Sequence, residues 1–234
     1  MSKDKSLEWV EYTRIGTEVS KGKERVVAEF GLSIVVDGQP LATAAITPLM
    51  EREFVVGYLF GRGIIAGLAD IKSLTIKGNN AEVALVGKRG GVGAPSPITS
   101  DFSVSRDDIF KGVEAILKSE LYAETGAIHS AGLFGRGAKP LCLAEDIGRH
   151  NALDKVIGYA LMDDIDLGRG FAASTGRMAA DMVAKICRAG IPIVATKTAV
   201  TGAGVEIGQK CGLTVIGFVR DNAMKIYTNP RRIL

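Results

Sequence analysis

A chain of 234 residues with 47% apolar side chains holds enough hydrophobic material for a sizeable core, as one large or two small domains. Twenty-nine Lys and Arg against 26 Asp and Glu leave a formal charge of +3 without a long basic run, so nucleic acid is not an expected partner, whereas a local basic pocket for a phosphorylated small molecule is compatible with it. No apolar stretch reaches the ~18 residues that span a bilayer, and the first residues lack a signal-peptide core; a cytoplasmic protein without a membrane segment is expected.

Residues 1–20 are charged and unpatterned and read as a loose arm or an edge strand. From Arg25 the pattern turns strand-like through Val26, Val27, Phe30 and 32–36, and Asp37-Gly38 is a hairpin signal ahead of a returning strand at 41–46. Thr47-Pro48 reads as a helix start, with Leu49, Phe54, Val55, Tyr58 and Leu59 on one broad face and Gly61 or Gly63 as the stop. Segments 71–76 and 81–86 read as a second hairpin. Residues 1–100 thus form a small α+β domain, closed by a glycine- and proline-rich linker or mobile loop at 87–100.

In residues 101–234, Ser105-Arg106-Asp107-Asp108 supplies a capping box for a helix that carries Ile109, Val113, Ile116, Leu117 and Leu121 and ends before Gly126. Strands then follow at 128–134 and 141–144, a helix at 148–161, a strand at 171–174, a helix at 176–188, a strand at 191–195, a helix at 202–210, and strands at 213–219 and 225–228. This alternation predicts an α/β unit with a mainly parallel sheet and helices on its faces, a three-layer arrangement.

The densest polar stretch is 145–155, EDIGRHNALDK, directly after the apolar segment 140–144. Each such ionisable group costs several kcal/mol if buried without a partner, so a site is expected there. Ligands of such folds bind beyond the C-terminal ends of the strands. The loops at that position carry Glu145, Asp146, Arg149, His150 and Asn151; Ser174, Thr175, Gly176 and Arg177; Thr196, Lys197, Thr198 and Thr201; and Arg220, Asp221 and Asn222. Free N–H groups and the positive dipole end of each helix start, strengthened by Arg149, Arg177, Lys197 and Arg220, suit a phosphate or pyrophosphate. Ser174 and Thr201 read equally as plain caps. His129, one of two histidines, reads on its own as a satisfied strand residue, and no third nitrogen or sulfur ligand stands at metal spacing, so a metal is not expected. Cys142, Cys187 and Cys211 form no CxxC pair and read as reduced core thiols.

EDIGRHNALDKVIG, the 125–129 stretch TGAIH, STGR followed by an amphipathic helix and AGIP, and GFVRDNAMKIYTNPRRI resemble the formate dehydrogenase accessory proteins of the FdhD (FdhD/NarQ) sulfurtransferase family, as does the 31–71 segment with its GYLFGRGII. The resemblance implies a cytosolic sulfur carrier that takes sulfur from a cysteine desulfurase and passes it to bis-molybdopterin guanine dinucleotide before that cofactor enters formate dehydrogenase. It also implies a cytidine-deaminase-like fold for the larger domain, a homodimer, and a guanine-dinucleotide contact at Phe218, Val219, Arg220, Asp221, Asn222 and Ala223; a guanine nucleotide such as GDP is expected to mimic the cargo. With these, Arg149, His150, Asn151, Ser174, Gly176, Arg177 and His129 make up the candidate cofactor-binding set. One departure stands out: the family places a persulfide-bearing CxxC in the loop between its halves, and here that loop reads PITSDFSVS over 97–105. Neither serine nor aspartate replaces a thiolate there. Either another thiol serves, Cys142 foremost because it is nearest the EDIGRHN motif, or the chain carries or chaperones the cofactor without moving sulfur.

Overall fold

The computed structural model describes residues 3–87, 93 and 96–234; half of the stretch read as a linker, and the first two residues of the arm, lie outside the described residues. The charged start pairs as an antiparallel ribbon, β1 (Leu7–Ile15) with β2 (Val19–Val27), which leaves Trp9, Ile15 and Val19 exposed. The strand pattern read through 25–36 is broken after Val27. β3 (Phe30–Val36) pairs instead with β4 (Gln39–Ile46), through a turn in which Asp37 and Gly38 both take positive φ, 51° and 73°, as the sequence signal requires. β5 (Ile71–Lys77) and β6 (Asn80–Leu85) form the expected second hairpin, and the four strands run in the order β4-β3-β6-β5.

Helix α1 (Glu51–Gly61) starts later than Thr47-Pro48 suggests, and its first cap is Met50, in the left-handed region and without a side-chain hydrogen bond. Thr47 is wholly buried and bonded elsewhere. The helix read from 105 to before Gly126 is two helices, α2 (Arg106–Leu117) and α3 (Glu120–Thr125). Ser105 Oγ caps the first by accepting from Asp108 N, and Ser119 Oγ restarts the chain by accepting from Tyr122 N.

The remaining strands, β7 (His129–Phe134), β8 (Pro140–Asp146), β9 (Phe171–Ser174), β10 (Ile193–Thr196), β11 (Thr214–Arg220) and β12 (Ala223–Ile226), form a six-stranded sheet ordered β12-β11-β10-β9-β7-β8. It is mixed, and this corrects the mainly parallel reading: β9, β10 and β11 are parallel neighbours, while the pairs β7/β8, β7/β9 and β11/β12 are antiparallel. Short turns join β7 to β8 and β11 to β12, and a tight connection can only reverse the chain. Helices α5 (Ala180–Arg188) and α6 (Gly202–Cys211) supply the crossovers that parallel pairing needs.

Side-chain alternation sends Ala173, Ile193, Ala195 and Ile216 to one face, under Ile109, Val113 and Ile116 of α2. Ala172, Val194 and Val215 face the other side, against α5 and α4 (Arg149–Met162). This second core also contains Leu32, Ile34, Val55 and Leu59, so the first-half sheet and α1 share it. Contact between α1 and α4 is very close: a Cβ on Gly57 would lie 1.8 Å from the Asp154 carbonyl oxygen, and one on Gly158 would lie 1.8 Å from that of Glu53. Among the described residues no helix is long and apolar enough to cross a membrane.

Candidate functional site

Because β8 and β9 are both antiparallel to β7, the C-terminal ends of β8, β9, β10 and β11 meet at the edge where β7 begins. The polar loops therefore converge as the sequence reading required. A cavity of about 440 Å³ opens there, lined by Ile128, His129, Ile147, Thr175, Lys197 and Thr198, with Tyr122 and Ser119 from α3 and its cap on the far side. Thr175 Oγ1 accepts from Ser130 N at 3.0 Å and lies 3.1 Å from His129 Nδ1. Burial, reinforced by the charge of Arg149, holds the His129 pKa below its ordinary 6.5. The neutral ring is satisfied when Nδ1 accepts the Thr175 hydroxyl proton and Nε2 keeps its N–H.

Arg149 opens α4 with its stem against Gly176: a Cβ on that glycine would lie 2.5 Å from Arg149 Cβ. Its Nε is buried and has no hydrogen-bond partner among the described residues. A guanidinium donor left unsatisfied at a helix start invites an anion. His150, next on the helix, has Nε2 at 2.7 Å from Asp181 Oδ2; burial lowers its pKa and Asp181 opposes that shift. Arg177 and Lys197 are exposed, and Lys197 lines the cavity.

Ser174 and Gly176 flank Thr175, the β9-loop residue that lines the cavity. Ser174 Oγ accepts from Gly176 N at 3.0 Å, and Thr196 Oγ1 donates to the Gly176 carbonyl at 2.7 Å, which stitches the β9 and β10 loops together. Thr201 caps α6 by accepting from Gly204 N. Capping is thus observed for Thr201; Ser174 instead braces the loop after β9, because α5 begins only at Ala180 and its cap, Ala179, makes no side-chain bond.

Part of the EDIGRHNALDK charge is interior. Asp146 and Lys155 are both fully buried with Nζ 2.6 Å from Oδ2, and the carboxylate also accepts from Thr47 N, Gly148 N and Asn151 Nδ2. Lys155 Nζ spends its other protons on the carbonyls of Thr47 and Glu145, both at 3.0 Å. Asn151 Nδ2 reaches the Ala45 carbonyl as well. Asp154 forms a second buried pair with Lys185 at 2.6 Å. These groups fix the start of α4 against the first half of the chain; the site reading is corrected for Asp146 and Lys155, and the amide group of Asn151 is engaged in the same network. Sequence reasoning missed Thr47, which the Thr-Pro pair disguised as a helix cap.

The 218–223 segment is a bulged hairpin. Phe218 takes φ 52° and shifts the β11/β12 register, so Val219 joins Ile216 on the face under α2 and is 2% exposed. Its side chain is core, which corrects its place among ligand contacts. Phe218 turns out, with Lys225 Nζ 4.8 Å and Arg220 Cζ 5.6 Å from its ring centroid. Asp221 and Asn222 form the turn with positive φ, Arg220 and Ala223 are exposed, and Arg106 Nη2 donates to the Asn222 carbonyl.

The family model described as FdhD/NarQ matches residues 27–91 and 89–234. This chain belongs to the FdhD/NarQ family. It is 34% identical over 244 residues to the sulfur carrier protein FdhD of Methanothermobacter thermautotrophicus, covering 96% of this chain and 98% of that protein. The FdhD of Bacillus subtilis is 28% identical, with 92% and 93% covered. A crystal structure from Desulfotalea psychrophila, described as a formate dehydrogenase accessory protein, superposes with a TM-score of 0.86 at 26% identity, covering 97% of this chain and 99% of that one. In this FdhD/NarQ member the 97–105 segment is packed, with Ile98, Phe102 and Val104 buried. Cys142 does not suit the role of replacement thiol: it is 7% exposed within β8, and burial, with Glu53 and Asp163 adding to it, pushes its pKa up to about 12.

Proposed function

We propose that this chain is a formate dehydrogenase accessory protein of the cytoplasm that holds the guanine-dinucleotide end of a molybdopterin cofactor at the β8–β11 edge and serves as sulfur carrier to it. The observation that carries the reading is the buried Arg149 Nε at the start of α4, which has no hydrogen-bond partner among the described residues and stands near His129 in the wall of the cavity of about 440 Å³. A phosphate oxygen is the natural acceptor for that donor, and exposed Arg177, Lys197 and Arg220 add positive charge around it. Apolar Ile128 and Ile147 with Tyr122 offer a surface for a planar base. A cysteine desulfurase as sulfur donor, formate dehydrogenase as recipient, a homodimer and a cytidine-deaminase-like layering of the larger unit complete the proposal, by family likeness. The test is titration calorimetry with GDP: micromolar or tighter binding that is lost in Arg149→Ala supports it, and no binding by the native chain refutes the cofactor site.

A second reading has its own observation. The absence of cysteine from 97–105 favours a cofactor chaperone that does not move sulfur. Restoration of formate dehydrogenase activity in cells lacking their own accessory protein, by a variant with all three cysteines replaced by serine, would establish it.

A further inference from the structure

The inference rests on the sulfur-carrier reading, which needs a thiol to hold sulfane sulfur. Cys142, Cys187 and Cys211 are the cysteines of the chain, and Cys142 is sealed in β8. The other two stand together. Cys187 near the end of α5 and Cys211 at the end of α6 are close enough for their thiols to influence each other. Cys187 lines a second cavity, of about 510 Å³, to which Arg169 and Arg188 also contribute. Residues 96–100 form one of its walls.

That wall is bonded to the cysteine end of α6. Ile98 N donates to the Cys211 carbonyl at 2.8 Å, and Arg232 bridges the two sides, with Nη1 on the Gly212 carbonyl at 2.7 Å and Nε and Nη2 on the Ser100 carbonyl at 3.2 Å. Ser100 Oγ donates to the Gly168 carbonyl at 2.7 Å, closing the wall against the Arg169 side. Cys187 is 2% exposed, and Cys211 is the partly exposed member of the pair. A donor protein reaches a thiol only where the surface admits it.

We propose that Cys211 is the thiol on which this chain carries sulfane sulfur, with Cys187 beside it lining the cavity. The Cys211 thiolate attacks the terminal sulfur of a cysteine persulfide on the donor. A new S–S bond forms at Cys211, the donor S–S bond breaks, and the donor cysteine leaves as a thiolate that takes the proton Cys211 released, with no net oxidation. Arg169 and Arg188 add positive charge to the cavity that Cys187 lines.

The experiment treats the purified full-length chain with excess free cysteine persulfide, caps remaining thiols with iodoacetamide, and reads added sulfur by intact mass and peptide mapping. One sulfur on the Cys211 peptide is expected, retained in Cys142→Ser and lost in Cys211→Ser. In native protein, N-ethylmaleimide should label Cys211 at least about tenfold faster than Cys142. Sulfur on Cys142 or Cys187 with Cys211 bare overturns the assignment while leaving the sulfur-carrier reading intact. No sulfur on any thiol of a chain that still binds GDP overturns both. Mapping of the native chain decides without any variant, so misfolding of a mutant does not blur the result.

Discussion

Replacing Lys155 with methionine tests the buried tie between the two halves. The substitution keeps most of the volume and removes one charge, whose Nζ serves Asp146 Oδ2 at 2.6 Å and the carbonyls of Thr47 and Glu145 at 3.0 Å. Asp146 would keep its bonds from Thr47 N, Gly148 N and Asn151 Nδ2, but as an uncompensated charge with no solvent exposure. Removing one partner of a buried pair costs about 3–5 kcal/mol. At about 2–4 °C per kcal/mol for a chain of this size, Tm should fall by roughly 6–20 °C. Urea unfolding followed by circular dichroism gives the free energy directly. Asp146→Asn combined with Lys155→Met should lose less than the sum of the two single changes, because each single variant strands the other's polar group. A loss under about 1 kcal/mol for Lys155→Met, or strictly additive losses, would refute the claim that the pair acts as a buried unit.

Other outcomes follow from the same geometry. Gly158→Ala should destabilise by about 1–3 kcal/mol in denaturant unfolding despite alanine's better helix propensity, because the added Cβ meets a backbone oxygen at 1.8 Å that no rotamer change can move; a stabilised variant would mean that α1 and α4 separate readily. Arg220→Ala should weaken GDP binding by about tenfold by removing a charge-assisted donor, whereas Val219→Ala should cost stability and leave affinity unchanged; calorimetry on both separates the two roles. The His129 pKa lies below the 6.5 of the unfolded chain, so the unfolded state takes up the proton first and stability falls as pH drops through that region. His129→Gln should flatten this dependence between about pH 7 and 5, read as the difference from the native chain so that the opposite trend of Asp154, whose burial raises its pKa to about 6, cancels.

What the sequence made readable was local. Asp37-Gly38 named its turn, Ser105 its cap, and Gly190 and Gly212 their helix ends, since each acts through backbone geometry within a few residues. The convergence of the loops after β8, β9 and β10 was readable too, because strand–helix alternation already puts those loops on one edge. Thr47 and Lys155 were not: the bonds that tie Thr47 to Asp146 and to Lys155 span 99 and 108 residues, and the Asp146–Lys155 pair, though local, looks the same on paper whether it faces water or the core. Val219 escaped for a different reason. The bulge at Phe218 inverts the alternation that strand periodicity assumes, and nothing in GFVRDNA announces a positive φ at phenylalanine.

The close crossing of α1 and α4, with a glycine from each helix against the other's backbone, has a consequence for how the chain can be divided. Contact at that distance leaves no room for a water layer, so neither helix can swing on the other without opening a dry surface that includes Val55, Leu59, Val156 and Ile157. Expressed separately, residues 1–92 and 93–234 should each present that surface to solvent and aggregate. Co-expressed, they should reassemble and melt as one body, the covalent joint between them contributing chiefly proximity.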